Sequence, residues 1–185
     1  MALYTIARFV HIVGALGLFI ALGLEWTSLA NLRRATTAEQ VQEWGKIIPT
    51  LRRLGPASLA AILIPGLYMA LTAWRGSTWM WAALASMVLL AALGAPNGLR
   101  LEGVRRAADA ERGALSPTLV RQLRNPFLWI SIQTRLGIAL GIVFLMTVKP
   151  GLGEATLVIV AAVVLGVGSS LTGLARSRAG LGTVA

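Results

Sequence analysis

In a chain that is 56% hydrophobic and only 13% charged, His11, Glu25 and Arg135 stand well inside long apolar runs. Each costs roughly 2.5–3.5 kcal/mol or more at the centre of a bilayer unless it is paired or solvated, so each is a candidate for chemistry. At 100° per residue, His11 and Glu25 lie about 40° apart around one helix and about 21 Å apart along it. The stripe His11, Gly14, Leu18, Ala21 (or Leu22), Glu25 is therefore expected to face inward.

His11 is the only histidine. Imidazole is a common haem ligand, so His11 reads as a candidate axial ligand to haem iron or chlorin magnesium, with Gly14 leaving room for a flat ring. The ligand set is incomplete within one chain. Met69, Met80, Met87 or Met146 could complete it, or a partner subunit could, and a methionine with a histidine also suits copper(I). The plainer alternative is a neutral histidine hydrogen-bonded across a helix bundle. Glu25 and Arg135 read as an ion pair, which either pins two helices together or serves a proton or ion path. Gln133, Thr134 and Asn97 form a modest polar group beside them, with Asn97, between Pro96 and Gly98, expected at a helix end.

Other chemistry has no residues to perform it. With no cysteine, thiolate metal sites, disulfides and cysteine nucleophiles are excluded. There is no phosphate-binding glycine loop with Lys-Ser/Thr, no HExxH pair and no Ser/His/Asp set in register, so no catalytic residues are assigned and an enzyme is not expected.

The elements that must carry these side chains are five apolar runs, at about 3–30, 54–74, 79–99, 127–148 and 155–175. Each supplies the ~20 residues needed to cross a bilayer, and the mean hydropathy is +0.74. The reading is an all-α integral membrane bundle of five transmembrane helices in one domain. The first run is too long for a secretory signal and has Arg8 inside it, so it is expected to be kept as a span. The net charge of +10 collects between the runs rather than along one surface with stacking aromatics, which argues for topology and lipid headgroups and against nucleic acid. Of the 17 basic residues, those at 31–53, 100–124 and 176–178 fall on one side, against only Arg75 and Lys149 on the other. The positive-inside rule then puts the N-terminus outside and the C-terminus in the cytoplasm.

The basic loops hold structure of their own. Thr36 with Glu39 reads as a capping box for an interfacial helix at about 37–48 that Pro49 stops. A cytoplasmic loop, 100–126, should begin as an extension of the third helix and hold a short helix after Ser116-Pro117, with the fourth span starting at Asn125-Pro126. Pro65-Gly66 should bend the second span, and Pro96-Asn97-Gly98 should end the third. Small residues four apart, Gly17/Ala21, Gly66/Ala70, Gly137/Gly141 and Gly166/Ser170, suit close helix packing within the bundle or a seam between copies. The six tryptophans fall near run ends, as an aromatic belt would.

The opening segment, Phe9-Val10-His11-Ile12-Val13-Gly14 and on through Gly17 to Glu25, resembles the first helix of small bacterial integral-membrane proteins of unknown function. It is also distantly similar to the membrane domains of copper-resistance and cytochrome-b-type proteins. The resemblance covers the first third of the chain and implies a ligand role for His11 alone. The expectation is a non-catalytic subunit in the bacterial cytoplasmic membrane that packs against other membrane subunits or its own copies and holds a haem or pigment through His11. The alternative is a small transporter or proton/ion-conducting protein using Glu25 and Arg135.

Overall fold

The computed structural model describes residues 2–75 and 77–179, with side chains through Leu171. The tail arginines Arg176 and Arg178 that entered the charge count thus lie beyond the described side chains. Among the described residues seven helices follow one another: α1 (Ala2–Leu32), α2 (Ala38–Gly45), α3 (Ile48–Ala73), α4 (Trp79–Asp109), α5 (Pro117–Leu123), α6 (Pro126–Val148) and α7 (Leu152–Ala179). α1, α3, α4, α6 and α7 are long and apolar enough to cross a membrane, which makes the chain a multi-pass membrane protein. Their outward faces carry large apolar side chains such as Phe9, Ile64, Val88 and Leu165, the arrangement of a helix bundle whose surroundings are lipid.

Small residues set how closely the helices approach. A side chain on Gly14 would collide with the Ala61 backbone at 2.8 Å, and one on Gly17 with Ser58 Oγ at 2.6 Å. Here α1 and α3 run antiparallel, nearly backbone to backbone. Gly137 lies against the Ala162 carbonyl, Gly141 against Ile159 and Ala162, and Gly166 against the Gln133–Thr134 backbone. These contacts use the small-residue seams inside the bundle, where close approach maximises dispersion contact without help from a hydrophobic driving force.

One end of the bundle gathers the basic segments. α2 is capped by Thr37, whose Oγ1 accepts from Gln40 N at 3.4 Å, while Gln40 Oε1 accepts from Thr36 N at 2.8 Å. The box is thus shifted one residue from the expected Thr36–Glu39 pairing. Glu39 instead accepts from the Gly113 amide at 2.9 Å, and Gly113 has a φ of 72°, open to glycine at little cost. Gln42 Nε2 donates to the Ala108 carbonyl at 2.7 Å. Ser116 donates to Glu111 through both its amide and its hydroxyl, which holds the Glu111 carboxyl below its ordinary range. Buried Glu102 accepts from Arg105 at 2.8 Å and Arg106 at 2.9 Å. These bonds tie 36–48 and 100–116 into a packed cap.

Three boundaries differ from expectation. α2 ends at Gly45, and Pro49 occupies the first turn of α3, where a missing amide leaves nothing unsatisfied. α4 runs without interruption through Pro96-Asn97-Gly98 to Asp109, so the expected stop is absent, while the helical extension expected at the start of 100–126 is present. By contrast, Ser116 and Asn125 cap α5 and α6 as their position before proline suggested.

Aromatic residues mark both ends. Trp26 and Trp129 pack at 5.9 Å between centroids, with Arg33 over Trp129, at the basic end. Burial and nearby Arg124 pull the Arg33 guanidinium below the usual arginine range. At the other end Trp74 meets Trp79 edge-on, Lys149 lies 4.0 Å over the Trp74 ring, and Trp74 Nε1 donates to the Tyr4 hydroxyl.

Candidate functional site

The inward stripe of α1 is buried as its spacing predicts: Gly14, Leu18, Ala21 and Leu22 are covered, with His11 and Glu25 half-buried at its two ends. The two ionisable residues have different surroundings, and the structure does not bring them together.

Nδ1 of His11 is 2.8 Å from the Ile62 carbonyl of α3. A carbonyl can only accept, so the bond fixes the proton on Nδ1. Ile62 lies three residues before Pro65, in the turn where proline disturbs the helical ladder. The same device recurs in α4, where Ser131 Oγ of α6 donates at 3.0 Å to the Leu93 carbonyl, three residues before Pro96. In both helices a polar side chain from a neighbour bonds a carbonyl one residue beyond the one that the proline leaves without an amide, Ala61 for Pro65 and Ala92 for Pro96.

Around His11 the space expected for a flat ring is not open on the Gly14 side. The approach that Gly14 was expected to offer a flat ring is taken up by the Ala61 backbone. Gly66, the other glycine nearby, would place a Cβ 3.1 Å from the imidazole itself. Met80 packs in a separate cluster with Trp79, Ala83 and Leu145. Among the described residues no group of three His, Asp or Glu side chains could hold a metal ion.

Glu25 meets Arg135 directly. Nη2 of Arg135 donates to Glu25 Oε1, and Asn97 Nδ2 of α4 donates to the same oxygen at 2.6 Å. Three helices thus meet at one carboxylate, with Asn97 fully buried and Arg135 5% exposed. Gly94 makes this possible, since a Cβ there would lie 3.1 Å from Arg135 Nη1. Each residue keeps an unpaired buried atom: Arg135 Nε, a donor, and Asn97 Oδ1, an acceptor, have no hydrogen-bond partner. Thr134 Oγ1 is likewise buried without a partner.

The cluster opens into a crevice of about 540 Å³ between α3 and α4, with α1 and α6 forming its inner wall. Glu25, Arg135 and Arg52 line it, together with Leu18, Leu59 and Leu90. Ala91, Gly94, Ala95 and Gly98, spaced as one face of α4, supply its width. Sequence reasoning paired Glu25 with Arg135 and grouped Asn97 beside them, though at a helix end, and passed over Arg52 and Gly94. A glycine at 94 and an amide at 97, one turn apart, were the available signal that this face of α4 receives a polar neighbour.

No family model, curated protein or solved structure matches the chain.

Proposed function

We propose that the protein is a small, non-enzymatic membrane carrier whose working site is the Glu25–Asn97–Arg135 cluster. It sits in the bacterial cytoplasmic membrane with the N-terminus outside and the basic cap in the cytoplasm, the orientation supported by the charge distribution. The observation that carries the reading is that this buried ion pair faces a crevice of about 540 Å³. A pair that only pins helices together needs no cavity beside it.

The chemistry follows from the donors. Both hydrogen bonds to Glu25 fall on Oε1, which leaves Oε2 as the oxygen able to take a proton. Protonation there discharges the carboxylate and frees the Arg135 guanidinium, which is always charged, for an anion. The same site can thus pass a proton by itself and accept an acidic solute while the carboxyl is protonated. The competing reading, a cofactor subunit, has in its favour only that Nε2 of His11 is left with a lone pair.

Reconstitution into liposomes containing a pH-sensitive dye tests the proposal. An imposed pH gradient is expected to collapse at least tenfold faster with the native protein than in protein-free vesicles. Glu25→Gln should abolish the difference while the protein remains monodisperse and melts within a few degrees of the native chain. Native protein no leakier than empty vesicles would sink the carrier reading.

A further inference from the structure

The crevice is chemically divided along its length. The register of α1 on α3, with Gly14 against Ala61 and Gly17 against Ser58, sets Arg52 opposite position 23. That is two residues, about 3 Å, from the level of Glu25. Arg52, Glu25 and Arg135 thus line the crevice at one depth, one turn inside the basic end of α3. Leu18, Leu59 and Leu90 line it further in, where nothing polar remains.

The polar end has positive charge to spare. Arg135 is committed to Glu25 through Nη2 alone, and its buried Nε has no partner. Arg52 is half exposed and stands 3.8 Å from Glu102, which is already held at shorter range by Arg105 and Arg106. Two guanidiniums therefore face a single carboxylate in the crevice. Ala91, Ala95 and Leu99, which line the α4 side, are also exposed on the outer surface. The crevice is thus open sideways, towards lipid.

We infer that this crevice is a lateral entry site for a single-chain amphiphile with an acidic head group. The head lies between Arg52 and Arg135, and the chain lies along Leu18, Leu59 and Leu90. Head-group depth for the charges, hydrocarbon depth for the leucines and a volume within the usual range of about 300–1,000 Å³ for one small ligand all match that occupant. A zwitterionic head would bring a cation towards two arginines, and a soluble anion would leave the apolar half unused. The inference rests on the carrier reading for its purpose and names the substrate class of the same site.

Native mass spectrometry of the full chain in detergent tests it, with lysophosphatidylglycerol and lysophosphatidylcholine of equal chain length as probes. The anionic lipid is expected to occupy the native protein at least fivefold more than the zwitterionic one. Arg52→Gln should bring the two within twofold, and Ala95→Trp, at an exposed position, should remove both. Arg53→Gln, next to Arg52 but outside the lining, should leave the preference intact, and Ala91→Trp serves in place of Ala95→Trp if that variant misfolds. Equal occupancy by the two lipids, a preference insensitive to Arg52→Gln, or displacement of the lysolipid by glycerophosphate at equal concentration would overturn the inference. Binding is read with no gradient present. Proton flux without lipid preference therefore refutes the amphiphile alone, and lipid preference without flux refutes the carrier alone.

Discussion

At the scale of single residues, the decisive feature is that Glu25 and Arg135 lose water together. Removing one partner from a buried pair strands the other charge, at a cost of about 3–5 kcal/mol, whereas replacing both with apolar side chains is often nearly neutral. Arg135→Leu is thus expected to destabilise the protein by about 3–5 kcal/mol in equilibrium unfolding from mixed micelles, with Glu25→Leu/Arg135→Leu recovering at least half of that loss. Simple additivity of the two single substitutions would show that the charges are uncoupled. The pair was legible in the sequence because two lone charges of opposite sign inside apolar runs have few other ways to be satisfied. Asn97 was legible as part of a polar group beside Arg135 but not as a mid-helix residue, since Pro-Asn-Gly reads locally as a helix stop whereas α4 continues to Asp109. His11 was legible as inward-facing and as a histidine hydrogen-bonded across the bundle, but its partner was not, because nothing local says which carbonyl on α3 will be opposite.

At the scale of elements, the five long helices were legible from length and hydropathy, and the caps at Ser116 and Asn125 from a local residue pair. The boundaries that failed depend on contacts far away in sequence. Glu39 looked like the second half of a capping box, yet its carboxylate is recruited by the Gly113 amide, 74 residues on. The glycine seams were visible as spacing, but whether they faced inward or towards another copy was a matter of tertiary packing. Gly137 of α6 has the Ala162 carbonyl where a side chain would go, so Gly137→Leu must drive α6 and α7 apart. Overpacking of this kind costs about 1–3 kcal/mol. A lower melting temperature is expected, together with increased protease access to α7, while Gly168→Leu, with open space around its Cα, should change neither. A Gly137→Leu protein as stable as the native chain would argue against this packing.

Across the whole molecule, the arrangement is polar in the literal sense, with a cap bound by ion pairs and hydrogen bonds at one end and a tryptophan–lysine cluster at the other. Its orientation rests on where the charges fall, and the lack of native cysteine makes it simple to test. A single cysteine at Ser77 should react with a membrane-impermeant maleimide in intact cells, and one at Ala110 only after lysis. The reverse pattern would invert the assignment and move the mouth of the crevice to the outer leaflet.

The ion pair also imposes an order on how the protein is made. Glu25 leaves the ribosome 110 residues ahead of Arg135, which at 5–20 residues per second is a delay of roughly 5–20 s. Its amide partner, Asn97, follows after 72 residues. For that interval the first helix carries an acid whose base has not been synthesised, and burying it in lipid alone is costly. The fourth long helix to emerge is therefore the one that commits the first to its final depth.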